Sequence, residues 1–75
     1  LLGKRVAEAQ EELEVYLDAA ARASLPWVRI VHGKGTGALR AAVQEMLRRH
    51  PLVERFETAE PNAGGDGVTV AFLKG

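Results

Sequence analysis

Trp27-Val28-Arg29-Ile30-Val31-His32-Gly33-Lys34-Gly35-Thr36-Gly37-Ala38-Leu39 is the stretch around which this chain is organised. Its first five residues form a nearly continuous apolar run, the pattern of a strand covered on both faces, as in a parallel sheet. A helical pattern begins at Ala38. Between the two lie three glycines in five residues, Gly33, Gly35 and Gly37, which let the backbone approach a ligand closely. Amide groups at the start of a helix, together with Lys34, favour an anion. His32 adds a side chain that carries a proton near neutral pH. The loop therefore predicts a phosphate ligand. Gly33, Lys34, Gly35, Thr36, Gly37 and Arg40 are the candidate contacts, and His32 is the candidate catalytic group.

Upstream of the loop, Val6, Ala9, Leu13, Tyr16, Leu17 and Ala20 recur at spacings of three and four, one apolar face of a helix over 6–23. Glu8, Glu11, Glu12, Glu14 and Asp18 fall largely on its other side and read as a solvated face. Ser24-Leu25-Pro26 ends this helix, because proline disfavours helical geometry in the residue before it. Downstream, Ala38, Leu39, Ala42, Val43, Met46 and Leu47 mark a second apolar helical face, with Thr36 as its expected N-terminal cap. His50-Pro51 ends it, and His50 suits the negative end of the helix dipole. Residues 53–58 are a weaker strand candidate. Residues 60–67 are a glycine-rich loop. Residues 68–73 are the best strand, rich in β-branched side chains, with Val68, Val70 and Phe72 on one face. Leu1-Leu2-Gly3 is expected to be the tail of another strand.

The order (β)-α-β-α-β-β predicts an α/β fold. Two helices cannot cover both faces of four strands. The expectation is a two-layer sandwich: a mixed sheet of about four strands, both helices mostly on one side, and the last two strands paired as a hairpin.

With 75 residues the chain is one small domain, residues 1–75. Chains of this size bury only about 60% of their unfolded surface. A start at Leu1 rather than Met reads as a fragment of a larger protein. There are no cysteines, which excludes disulfides and thiolate zinc sites. No apolar run is long enough to span a membrane, so no membrane partner is expected, and the cytoplasm is the expected location. Formal net charge is zero, but its distribution is uneven. Residues 29–50 hold Arg29, Lys34, Arg40, Arg48 and Arg49 against Glu45, a balance of +4, with −2 on either side. A basic patch attracts polyanions even on a neutral domain. Trp27, Tyr16, Phe56 and Phe72 sit at apparent core positions, so contacts to a nucleic-acid backbone are expected to outweigh base stacking.

Three readings of the glycine loop compete. A Walker A loop needs G-x-x-x-x-G-K-[ST], and Lys34 between Gly33 and Gly35 breaks that pattern. Gly33, Gly35 and Ala38 satisfy the G-x-G-x-x-A dinucleotide fingerprint, with Glu54 about 20 residues on where a ribose-binding acid would stand. That reading leaves His32 and Lys34 unexplained and asks for a larger sheet. The third reading is nucleic-acid phosphate, positioned by backbone amides, Lys34 and the helix start. His32 then either bonds the phosphate or moves a proton; the plainer alternative is that it packs at the strand end and satisfies the turn. Asp66 either orients His32 or binds a metal, or simply makes an Asp-Gly turn, which is the favoured reading.

His32-Gly33-Lys34-Gly35-Thr36-Gly37 before Ala38-Leu39-Arg40, with Asn62, Gly64-Gly65 and Gly67-Val68-Thr69-Val70 later, resembles the Smr (small MutS-related) domain. The closest likeness is to the version at the C-terminus of bacterial MutS-type-2 proteins. The resemblance implies a sandwich similar to the C-terminal domain of translation initiation factor 3. It implies nicking endonuclease activity on branched or non-sequence-specific DNA, in a homodimeric parent protein that suppresses homologous recombination. Mg or Mn is the divalent metal such chemistry would call on. The alternative it implies is a non-enzymatic module on DNA, RNA or the ribosome, with the domain itself monomeric. His32, Gly33 and Gly35 match the family's H-G-x-G motif. Gly3 matches the glycine closing its L-D-L-[HR]-G motif, with Leu2 where His or Arg is expected and the aspartate falling before Leu1.

Overall fold

The computed structural model describes residues 5–33 and 37–74. The expected strand at residues 1–3, and Lys34, Gly35 and Thr36, lie outside them. The chain forms α1 (Val6–Arg22), β1 (Trp27–Val31), α2 (Ala38–Arg49), β2 (Val53–Thr58) and β3 (Val68–Leu73), with two 3-10 turns, Pro61–Ala63 and Gly65–Gly67, before β3.

Alanine, glutamate and leucine favour the helical backbone of α1. Its buried residues are Ala9, Leu13, Leu17 and Ala20, a narrower stripe than the sequence suggests. Val6 and Tyr16 remain 40% and 44% exposed. Proline does not end this helix. The chain turns at Ser24, whose φ is +58°. The Ser24 N–H donates to the Ala21 carbonyl and the Leu25 N–H to the Ala20 carbonyl, both at 3.0 Å. That pair is the Schellman closure, and Pro26 follows once the helix has already stopped.

Among the described residues the sheet has three strands in the order β1-β3-β2, and both pairings are antiparallel. The fourth strand that the expected mixed sheet includes lies outside the described residues. Residues alternate between exposed and buried along β1, with Val28 and Ile30 inward and Trp27, Arg29 and Val31 outward. One face of the strand is covered, not two. The strands β2 and β3 form the expected hairpin. Because β3 lies between β1 and β2, no two adjacent strands among the described residues are parallel, and the dinucleotide fingerprint at β1 and α2 lacks the adjacent parallel strand it needs.

Leu13, Leu17 and Ala20 of α1 and Val43 and Leu47 of α2 share one core with Val28, Ile30, Val53, Ala71 and Leu73. Both helices therefore cover the same sheet face, giving two layers. The inward face of β3 is Thr69, Ala71 and Leu73, the opposite of the Val68-Val70-Phe72 face. A bulge lies between Val53, opposite Leu73, and Arg55, opposite Phe72. The extra residue lets Val53 and Phe56, three apart, both reach the core, which explains the weak alternation in the sequence of β2.

The aromatic residues correct another expectation. Phe56 packs against the core, but Trp27 is 49% exposed and stands opposite Phe72 on the helix-free face. The Arg55 guanidinium lies 3.8 Å from the Phe72 ring centroid. His50 is the C-cap of α2, at the negative end of its dipole as expected, and is also a buried link between the helices. Its Nε2–H donates to Glu14 Oε1 at 3.0 Å and its Nδ1 accepts from the Leu52 N–H at 3.1 Å. Glu14 is accordingly more than a solvated carboxylate.

Candidate functional site

The end of β1, the start of β3, the end of β2 and the N-terminus of α2 meet at one edge of the molecule. Here β1 runs out into His32 and Gly33. The backbone N–H groups of both residues donate to one acceptor, the Gly67 carbonyl, at 3.0 and 2.9 Å. The two glycine-rich segments of the sequence are thus joined through a single oxygen. Gly33 takes φ +75°, which turns the chain away from the strand.

His32 is 4% exposed and both ring nitrogens are occupied. Nδ1 lies 2.9 Å from the Gly33 carbonyl oxygen, which can only accept, so Nδ1 carries the proton. Nε2 lies 2.7 Å from Thr69 Oγ1. Gln44 Nε2 in turn donates to the same hydroxyl oxygen at 3.3 Å. Thr69 is wholly buried. Asp66, the expected alternative for orienting His32, sits exposed in the second 3-10 turn, where it serves the turn.

Gly37, with φ +85°, is the N-cap of α2 and makes no side-chain cap bond. The cap position expected of Thr36 therefore belongs to the next residue. The first turn of α2 has no acidic residue, so nothing there opposes an incoming anion. Arg40 lies in that turn and donates from Nη2 to Thr58 Oγ1 at 2.9 Å. Its Nε is the one buried side-chain polar atom without a partner among the described residues. The positive segment seen in the sequence divides in space. Arg48 and Arg49 both pair with Glu45, at 2.6 and 2.9 Å, at the far end of a helix about 18 Å long. Arg40 stays at the loop; those two do not.

Among the described residues, no three His, Cys, Asp or Glu side chains converge to hold a metal ion. The groups that do converge are amide, hydroxyl, imidazole and guanidinium, a set suited to an anion. The sequence names Thr69 only within the Gly67-Val68-Thr69-Val70 motif, with no role, and does not mark Gln44. The available signals were a threonine within the apolar run Val68–Leu73 and a glutamine one turn after Arg40 on the same helix face.

The Smr domain family model matches residues 1–74. This chain belongs to the Smr family. Among its relatives, Endonuclease MutS2 of Thermomicrobium roseum is 58% identical over 74 residues, 99% of this chain and 9% of that protein. Endonuclease MutS2 of Symbiobacterium thermophilum is 54% identical over the same shares. The Smr chain thus spans about a tenth of the length of these curated relatives. The crystal structure of the Smr domain of Thermus thermophilus MutS2 has a TM-score of 0.98 and 49% identity, covering 100% of this chain and 94% of that one. YdaL of Escherichia coli, a stand-alone small MutS-related protein, has a TM-score of 0.92 and 26% identity, covering 100% and 63%.

Proposed function

We propose that this Smr domain binds DNA through its phosphodiester backbone and nicks it, within a cytoplasmic, homodimeric MutS2-type protein that suppresses homologous recombination. The observation that carries the reading is the His32–Gly33 turn, pinned to the Gly67 carbonyl beside the N-terminus of α2 and Arg40. The relatives named as endonucleases support it. The α2 amides, Lys34 and Arg40 hold the phosphate; Gly35, Thr36 and Gly37 bring the backbone close to it. Nicking adds water to phosphorus and breaks one P–O bond, and His32 is the proposed carrier of the accompanying proton. For that step its Nε2 must exchange the Thr69 hydroxyl for the substrate. Mg or Mn would supply charge neutralisation at the phosphate, but the described residues form no cage for the ion and no step is routed through it.

A second reading is favoured by one observation. Both nitrogens of His32 are engaged inside the protein, which supports a module that binds nucleic acid, DNA or RNA, without cutting it. One experiment separates the two. Supercoiled plasmid is incubated with the wild-type domain, Lys34→Ala and His32→Ala, with and without Mg or Mn, and affinity is measured against salt. The nuclease reading expects wild-type nicking that His32→Ala abolishes. Binding without nicking under any condition supports the module. Lys34→Ala should lower the salt slope by about 0.9, the loss of one phosphate contact; an unchanged slope removes Lys34 from the interface.

A further inference from the structure

The hydrogen bonds around His32 have a direction. The Gly33 carbonyl can only accept, so His32 Nδ1 must donate. In the neutral ring Nε2 then has a free lone pair, and among the described residues the hydrogen that meets it is that of the Thr69 hydroxyl, 2.7 Å away. The Gln44 amide points its own hydrogen at Thr69 Oγ1, filling a lone pair and leaving the hydroxyl hydrogen free to turn toward the imidazole. The chain reads Gln44 to Thr69 to His32 to Gly33, every donor facing an acceptor. A ring protonated on Nε2 would instead put two donors against one hydroxyl oxygen and leave the Thr69 hydrogen to find another acceptor in a fully buried place.

We infer that Gln44 and Thr69 are positioning residues, which hold the Nδ1–H ring of His32 in place through its Nε2 lone pair and with it the His32–Gly33 turn. Three elements meet in this relay. Gln44 belongs to α2, whose N-terminus faces the loop. Thr69 belongs to β3, two residues after the Gly67 carbonyl that holds the His32 and Gly33 amides. His32 leaves β1. In the unbound domain the imidazole therefore acts as a strut between helix and sheet, and its Nδ1 side connects outward through the Gly33 backbone. The consequence for ligand binding rests on the phosphate reading above; the ring geometry does not.

The second histidine supplies an internal control. His50 accepts a backbone N–H at Nδ1 and faces Glu14 from Nε2, so its hydrogen belongs on the other nitrogen. The test is a long-range proton–nitrogen NMR correlation on the neutral rings of the 75-residue domain. It should show one ring protonated at Nδ1, His32, and one at Nε2, His50, with the His32→Ala spectrum assigning them. Thr69→Ser should keep the His32 pattern. Thr69→Val, nearly the same shape without the hydroxyl, should leave Nδ1 protonated but move the His32 Nε2 nitrogen signal downfield, because its lone pair loses the hydroxyl hydrogen, and should weaken DNA binding severalfold, which Thr69→Ser restores. Gln44→Leu, nearer the surface, should act in the same direction by a smaller factor and serves if Thr69→Val does not fold. Wild-type His32 protonated at Nε2 overturns the inference. So do folded Thr69→Val and Gln44→Leu proteins whose His32 signals match wild type. If the ring patterns appear as expected but wild type binds no DNA, the positioning relay stands and the nucleic-acid reading falls.

Discussion

Gly64 has φ +116°, and a Cβ added there would lie 2.4 Å from Cγ2 of Val68. A side chain at this position meets two penalties, a left-handed backbone and a clash with a buried strand residue. Gly64→Ala should therefore cost about 2–3 kcal/mol, combining roughly 1–2 for the backbone with overpacking. Urea denaturation measures the loss; a change below about 0.5 kcal/mol would show that the turn relaxes freely. At Gly37, φ is +85° but an added Cβ meets nothing within 4 Å, so only the backbone penalty applies. The sequence marks both as turn glycines. It does not distinguish them, because the difference lies in Val68, which the fold brings under one and not the other. Thr69 makes the same point from the opposite side. In the sequence it is one more β-branched strand residue; its hydroxyl acquires a role only when β3 lies against β1 and Ile30 and Thr69 come opposite each other.

At the scale of elements, the C-terminus of α1 carries a local conflict. Ser24 occupies the left-handed position of a Schellman closure, φ +58°, where glycine is the usual residue. Ser24→Gly relieves about 1–2 kcal/mol of steric strain and returns part of it as unfolded-chain entropy. The expected net gain is about 0.5–1 kcal/mol, a rise of several degrees in Tm for a domain of this size. A lower Tm would mean that the serine side chain contributes a contact of its own. All described helices and strands fall within about a residue of the sequence-based bounds, because periodicity and breakers are local signals. The pairing of the strands is not local. The apolar run at Trp27–Val31 looks the same whether its neighbour is parallel or antiparallel, and only partner β3 decides which of its residues turn outward.

For the molecule as a whole, one core holds both helices to the sheet, with Leu13, Leu17 and Leu47 almost fully buried. A domain of this length has a stability of about 5 kcal/mol or somewhat more. Leu17→Ala, at the wholly buried centre of α1, should remove about 2–5 kcal/mol, a large part of that total. The expected result is a markedly lower urea midpoint, with a substantial unfolded fraction at the upper end of the range. A midpoint close to wild type would mean that α1 is not integral to the core. The site edge shares this dependence, since α2, β1 and β3 converge there only while the two layers stay packed.

Local chemistry in the sequence was sufficient to set the α/β class, the order of elements, the glycine turns and the placing of His32 and Arg40 near the start of α2. Hydrophobic period, turn residues and motif spacing are properties of neighbours along the chain. The antiparallel order β1-β3-β2, the outward turn of Trp27 and Phe72, the separation of Arg48 and Arg49 from the loop and the Gln44–Thr69–His32 relay were decided by tertiary structure. Each depends on residues 25 or more positions apart, such as Gln44 and Thr69, or on the length of a helix carrying charges away from each other. Hydrogen bonding and burial act across space, and no pattern along the chain records which distant residue will supply the partner.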